Sequence, residues 1–321
     1  MRFTKMHGAG NDYVYVDLFR EKVADPSALA RAVSDRRTGI GSDGLILIAP
    51  SEKADFRMIM FNADGTEGEM CGNGIRCIGK YVFEHGLAKK KTVTVETGGG
   101  TVALTLHAKN GTVDRVTVDM GRPRPIPPSF HVRADGSKTL LREKVEGFEG
   151  FVVSMGNPHF VIPVSSTESA PVTTRGPVLE KHADFPSRVN VEFVEVVSRD
   201  HVRQRTWERG SGETFACGSG ACAVGYALSE AGLADRRVRI DLRGGTLEIQ
   251  VAPDGRILMT GPAVEVFSGD WPASARRSGA TDGAEAAPPK PTSAPAKAGR
   301  PSGELRRGKP VRKPTKSRAR R

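Results

Sequence analysis

Apolar and polar residues alternate in short runs along this chain. YVYVDL (13–18), GLILIA (44–49), FRMIMF (56–61), TVTVET (92–97) and TVALTL (101–106) are β-branched or alternating stretches bounded by Gly, Asn and Asp, and they predict strands. FVVSM (151–155), FVIPV (160–164), NVEFVEVV (190–197), QRTWER (204–209), VRIDL (238–242) and LEIQV (247–251) repeat the pattern further on. Three stretches carry helical signals instead. DPSALARAVSDRR (25–37) opens with Asp25 as a cap and Pro26 in the first turn. GNGIRCIGKYVFEHG (72–86) and GSGACAVGYALSEAG (218–232) each start after Cys-Gly and stop at Gly86 or Gly232. Strands outnumber helices, which predicts an α+β fold.

The pattern is written twice. A shift of 146 positions sets Cys71-Gly72-Asn73-Gly74 on Cys217-Gly218-Ser219-Gly220, Phe61-Asn62 on Trp207-Glu208, and Gly10-Asn11 on Gly156-Asn157. DGLILI (43–48) falls on VNVEFV (189–194), and Gly79, Glu84 and Gly86 fall on Gly225, Glu230 and Gly232. One offset that serves separated segments points to an internal duplication. It predicts two pseudo-symmetric lobes, mostly strand, each with one central helix opening just after its cysteine. DMGRPRPIPP (119–128) marks the boundary, giving an N-terminal lobe 1–118 and a C-terminal lobe 119–263, with 264–272 expected to complete the first.

Charge changes the picture at one end only. The 321 residues hold 48 Lys+Arg against 37 Asp+Glu, a net +11 that would point to nucleic acid if it were evenly spread. The segment 273–321 holds 14 of the basic and 3 of the acidic residues, which leaves 34 of each in the remainder. That segment is rich in Pro, Ala, Lys and Arg and has no aromatic residue. It cannot bury enough apolar surface to offset its ordering entropy, so a disordered basic tail is expected. It reads first as a solvated extension and second as a weak, salt-sensitive contact with polyanions. No secretory signal precedes the first strand, and no run approaches the ~18 apolar residues of a membrane helix. A cytoplasmic location without membrane contact is expected, with the four cysteines as reduced thiols.

The chemistry centres on Cys71 and Cys217. Glycines beside them let backbone approach a ligand closely. The first amides of a helix have no internal partner and, with the macrodipole, form an anion site. The same field is expected to lower the pKa of a cysteine held there. Two related lobes would present these helix starts to each other across a cleft, so a small molecule would meet one sulfur on each face. That suits inversion of a stereocentre: one thiolate removes a proton and the opposite thiol returns one. Helix starts on a neighbouring carboxylate would stabilise the developing charge. No pyridoxal lysine motif, metal cluster or nicotinamide loop stands out, so the chemistry is expected to need no cofactor and no metal. Cys77 and Cys222 lie six and five steps along their helices, rotated by roughly 240° and 140° at ~100° per residue. Neither spacing suits a zinc knuckle, so both are expected in the core.

KMHGAGNDYVYVD, RRTGIGSDGLILI, MFNADGTEGEMCGNGIRC, SMGNPHFV, RVNVEFVEV and TWERGSGETFACGSGACA, taken in order, resemble the diaminopimelate epimerase family from about Met1 to Trp271. The resemblance implies two similar lobes, each a curved, mostly antiparallel sheet wrapped round a central helix. It implies a cofactor-free interconversion of LL- and meso-2,6-diaminopimelate, on the route to lysine and peptidoglycan precursors, by a homodimer. The family's acid–base pair falls on Cys71 and Cys217. Residues thought to tune those thiols fall on His159 and Glu208. Substrate contacts fall on Asn11, Asn62, Gly72, Asn73, Asn157, Asn190, Glu208, Arg209, Gly218 and Ser219. Arg209 offers a bidentate fork to the distal carboxylate, Glu208 suits an ammonium group, and the asparagines can select the distal stereocentre. One departure stands at Gly44, where some members carry glutamine; no side-chain contact is expected there. Another two-cysteine racemase, such as a proline racemase, is the enzymatic alternative, although that group typically has His where Asn73 stands. Nucleic-acid binding through the tail is the alternative from another class.

Overall fold

Asp25 caps the first helix as predicted: its carboxylate accepts from the Ala28 amide at 2.9 Å, and Pro26 opens α1 (Pro26–Ser34). The computed structural model describes residues 1–272, so the basic tail expected at 273–321 lies outside the described residues. In chain order α1 is flanked by β1 (Arg2–Gly8) and β2 (Asn11–Asp17) before it and by β3 (Gly44–Ala49), β4 (Phe56–Asn62) and β5 (Glu67–Gly68) after it. Helix α2 (Gly72–Glu84) follows, then β6 (Thr92–Thr97), β7 (Gly100–Lys109) and β8 (Thr112–Asp119). The next stretch holds β9 (Leu140–Val145), β10 (Phe148–Ser154), β11 (Pro158–Pro163), α3 (Val172–Glu180), β12 (Asn190–Ser198), β13 (His201–Glu208) and β14 (Gly212–Thr214). It ends with α4 (Gly218–Glu230), β15 (Arg237–Leu242), β16 (Gly245–Val251), β17 (Ile257–Pro262) and β18 (Val264–Asp270).

Adding 146 to the bounds of β1, α1 and α2 gives those of β10, α3 and α4 residue for residue. The pairing repeats as well. β1–β2 is antiparallel, β2–β3 parallel, β3–β4 antiparallel, β4–β6 parallel, and β6–β7–β8 antiparallel. β10–β11, β11–β12, β12–β13, β13–β15 and β15–β16–β17 follow the same order of senses. The parallel steps are the ones bridged by helices, as parallel pairing requires a crossover. β8 and β17 pair antiparallel and join the whole into one 18-stranded sheet. β18 lies along β1, and β9 lies along β10. Strands from both ends of each half contact its long helix, so the sheet curves round α2 and again round α4.

Alternation along the strands explains the packing. Val14, Val16, Leu45 and Leu47 face α1 with Leu29 and Val33, whereas Tyr15, Ile46 and Ile48 face Ile75, Ile78 and Val82 of α2. GLILIA is therefore buried at all six positions, as a strand covered on both faces should be. Each such aliphatic side chain contributes roughly 1.5–3 kcal/mol by leaving water. Helix α3 is not visible in the propensities, because Gly176 and Pro177 sit inside it. Gly176 has a packing reason: a Cβ there would stand 2.6 Å from Trp207 Cγ. No helix among the described residues is long and apolar enough to cross a membrane.

Candidate active site

Each long helix begins at a cysteine. Cys71 is the N-cap of α2, in extended conformation, and its Sγ accepts from the Gly74 amide at 3.3 Å. Cys217 is the N-cap of α4 in nearly the same conformation but makes no side-chain cap. The two starts meet. A Cβ built on Gly218 would stand 3.7 Å from Cα of Gly72, and Met259 lies against both glycines. A Cβ on Gly72 would stand 2.9 Å from Met259 Cε, so the thioether end would have to shift to admit one.

These helix starts border a cleft of about 1640 Å³. Asn11, Asn62, Cys71, Gly72, Asn73, Asn157, Glu208, Arg209, Cys217, Gly218 and Ser219 line it together. His159 and Asn190 do not reach it. His159 is 0 % exposed, with Nδ1 2.8 Å from Glu192 Oε1 and Nε2 3.0 Å from Asn157 Oδ1. Asn190 has both ends of its amide occupied: Oδ1 accepts from the Arg209 amide at 2.8 Å, and Nδ2 donates to the Pro158 carbonyl at 3.2 Å. In this structure it supports the backbone that carries Arg209 rather than facing the cleft. Gly44 has no room for a side chain, since a Cβ would fall 2.1 Å from the Phe61 carbonyl oxygen.

The two thiols sit in different hydrogen-bond networks. Cys71 Sγ donates to Asn11 Oδ1 at 3.1 Å, and Asn11 Nδ2 donates to Asp43 Oδ2 at 2.7 Å. Cys217 Sγ is 3.6 Å from Ser219 Oγ, which accepts from Asn157 Nδ2 at 3.3 Å. Thr214 Oγ1 donates to Glu208 Oε1 at 2.5 Å. Burial pushes the Cys71 thiol up, opposed by the Gly74 and Asn73 amides, the Tyr13 hydroxyl and the Arg76 guanidinium. Cys217 is pushed well above the ordinary thiol value by burial, then by the Glu208 and Glu192 carboxylates. Burial also raises Glu208. The lowered thiol pKa values expected from the helix starts are therefore not found, because removal from water outweighs the helix field.

Cys77 and Cys222 are fully buried, and burial pushes them to about 11 and about 12. Among the described residues, no group of three or more His, Cys, Asp and Glu side chains is arranged to hold a metal ion. Sequence reasoning missed Tyr13, Glu192 and Arg76. Two of them carried a signal: Glu192 is an acid inside the apolar strand VNVEFV, and Arg76 is a base among apolar residues in GNGIRCIG. Tyr13 falls on His159 at the 146-residue offset.

The Diaminopimelate epimerase family model matches residues 3–126 and 151–266. The chain is 50% identical over 281 residues to a diaminopimelate epimerase of Agathobacter rectalis, across 84% of this chain and 99% of that protein. It is 46% identical over 274 residues to one of Methanococcus maripaludis, across 84% of this chain and 99% of that protein. Among solved structures, it resembles a probable proline racemase from Agrobacterium radiobacter with bound carbonate (TM-score 0.62, 15% identity, 85% of this chain, 93% of the other). It also resembles a PhzF-family phenazine biosynthesis protein of Bacillus anthracis (TM-score 0.62, 17% identity, 84% and 98%). At such identities the likeness shows a shared fold.

Proposed function

We propose how this chain, which belongs to the diaminopimelate epimerase family, carries out its chemistry: it is an isomerase that interconverts LL- and meso-2,6-diaminopimelate, with Cys71 and Cys217 as the two proton carriers. The carrying observation is the meeting of two cysteine-capped helix starts in one cleft. The α-carboxylate of the reacting centre lies on the free amides of α2 and α4, beside Gly72, Asn73, Gly218 and Ser219. One sulfur, as thiolate, takes the α-proton and becomes a thiol. The carbon turns planar, and its charge spreads into the carboxylate held by the amides. The opposite thiol then gives its proton to the other face and becomes the thiolate, so no net proton is gained or lost. Glu208 and Arg209 take the ammonium and carboxylate groups, Asn11, Asn62 and Asn157 orient them, and His159 acts through Asn157. Every part of this step uses side chains and backbone of the chain itself, and the reading assigns no cofactor.

The same reading divides the enzyme into lobes 1–118 and 119–263, with 264–272 completing the first, and places a homodimer in the cytoplasm. Support for a dimer comes from β18, a sheet-edge strand with Val266 and Phe267 exposed. Incubation of LL-diaminopimelate in deuterated water without added cofactor tests the mechanism. Deuterium should enter at one α-carbon, and Cys71→Ala and Cys217→Ala should each stop epimerisation. Normal turnover by either variant would sink the two-thiol reading.

A further inference from the structure

Helix α2 carries a charge that the proton transfers do not use. Arg76 lies in its second turn and is completely buried. Among the described residues, no carboxylate comes within 4.0 Å of its guanidinium. A buried cation without a counter-ion is strongly unfavourable unless its donors are hydrogen-bonded. Four of its five N–H donors find acceptors. Nη2 donates to Asn73 Oδ1 at 2.8 Å, Nε to the Pro262 carbonyl at 3.1 Å, Nη1 to the Gly72 carbonyl at 3.2 Å, and Nη1 lies 3.8 Å from Met259 Sδ. The surroundings leave just enough space for the side chain. A Cβ on Gly8 would stand 2.9 Å from Nη2, and one on Gly261 2.9 Å from Nε.

Asn73 is the next link. With Oδ1 committed to Arg76, its Nδ2 points the other way and donates to the Ala216 carbonyl at 3.2 Å and to Asn11 Oδ1 at 3.4 Å. Ala216 precedes Cys217, and Asn11 Oδ1 is the acceptor of Cys71 Sγ. A single amide thus joins the backbone beside one thiol to the partner of the other. Turned over, it would set its NH2 against a guanidinium and its oxygen against two oxygens.

We propose that Arg76 is a positioning residue for both thiols: it locks the Asn73 amide in the one orientation that ties the Cys217 loop to the Asn11–Cys71 pair, and sets a fixed positive charge beneath the facing helix starts. The second half has no copy of it, because Cys222 stands at the matched position. The ionisable groups facing the guanidinium are Cys71 and Cys77 of its own helix, Tyr15 of β2 and Cys222 of α4. Those facing Cys71 are Arg76, Tyr13, Tyr15 and Cys77, with Asp43 behind Asn11. Burial pulls the guanidinium down from its ordinary value, but an arginine stays protonated across the working range, so this charge does not vary with pH.

The proposal rests on the two-thiol reading, and its test keeps the two apart. Arg76→Lys keeps the charge but not the fork that holds Asn73, Gly72 and Pro262 together; Arg76→Met removes the charge. In folded Arg76→Lys, kcat should fall roughly tenfold to a hundredfold with KM little changed, and adding Arg76→Lys to Asn73→Ala should cause little further loss. In Arg76→Met, iodoacetamide should modify Cys71 only at higher pH than in the wild type. In the unsubstituted protein, the Asn73 side-chain amide protons should exchange with solvent far more slowly than those of a free asparagine. Wild-type kcat in folded Arg76→Lys, additive losses in the double variant, an unmoved Cys71 profile, or fast exchange at Asn73 would each overturn the proposal. Should neither Arg76 variant fold, the wild-type amide exchange decides. Turnover by Cys71→Ala would remove the two-thiol reading yet leave the exchange result standing.

Discussion

Around Cys71 the nearby charge is the Arg76 guanidinium; around Cys217 it is the Glu208 and Glu192 carboxylates. The two places share one framework. Asn11 and Asn157, Gly72 and Gly218, and the cysteines themselves match at the 146-residue offset. At other matched positions Tyr13 stands for His159, Ile46 for Glu192, Asn62 for Glu208 and Arg76 for Cys222. The backbone frame has been kept while the charged side chains differ. On the two-thiol proposal the difference has a use, because that route needs one thiolate and one thiol at any instant. Two identical thiols would share that ionisation equally. Burial raises both thiols; the Glu208 and Glu192 carboxylates raise Cys217 further, while helix amides and Arg76 oppose the rise at Cys71.

The largest expected effect tests whether both copies take part. Cys71→Ala and Cys217→Ala should each lower epimerisation by at least about 10³-fold, the scale of a lost acid–base group. Each should still exchange the α-proton of one stereoisomer only, measured by deuterium uptake. Exchange from both isomers by a single-cysteine variant would break the comparison. Next comes the charged side of the second copy. Glu208→Gln should lower kcat by roughly a hundredfold, whereas Asn62→Ala, its uncharged counterpart, should act mainly on KM. Equal kcat losses would mean that the charge difference is not used.

Smaller, but more direct, is the order of ionisation. Raised thiol pKa values mean that alkylation speeds up only as pH climbs above the ordinary thiol value of about 8.5. Peptide mapping after brief iodoacetamide treatment should find Cys71 modified before Cys217 as pH rises. The reverse order would contradict that ranking of the two thiols. The smallest effect concerns stability. The Cys77 thiol is held up to about 11 in the folded chain, from 9.0. Between these values the unfolded chain has released its proton and the folded chain has not, so stability falls as pH rises. This group alone removes roughly 2–3 kcal/mol by pH 11. Cys77→Ala should therefore show a flatter decline in urea midpoint between pH 9 and 11, though a lower midpoint at pH 8.

Much of this was legible in the sequence because duplication writes its own alignment. One offset placed Asn157 opposite Asn11 and Ser219 opposite Asn73, and all four line the cleft. What escaped did so for physical reasons. β1 (RFTKMHG) and β8 (TVDRVTVD) interleave charges with apolar residues and lack the long β-branched runs of their neighbours. Helix α3 hides behind Gly176 and Pro177, although the offset from α1 would have found it. Glu192 and Arg76 work from behind the cleft wall, where a residue's partner is set by tertiary packing rather than by local spacing. The direction of the thiol shift escaped too. A helix start can be read from Cys-Gly-x-Gly, but the water removed from round the sulfur cannot.

The closing of the first half by β18 matters for synthesis. Residues 264–270 lie along β1, the Met1 amine donates to the Trp271 carbonyl at 3.0 Å, and the Trp271 amide donates to the Met1 carbonyl at 2.8 Å. On the ribosome the outer edge of β1 therefore stays unpaired until β18, the last strand among the described residues, emerges. The second half has β9 in hand before β10 is made and is under no such delay.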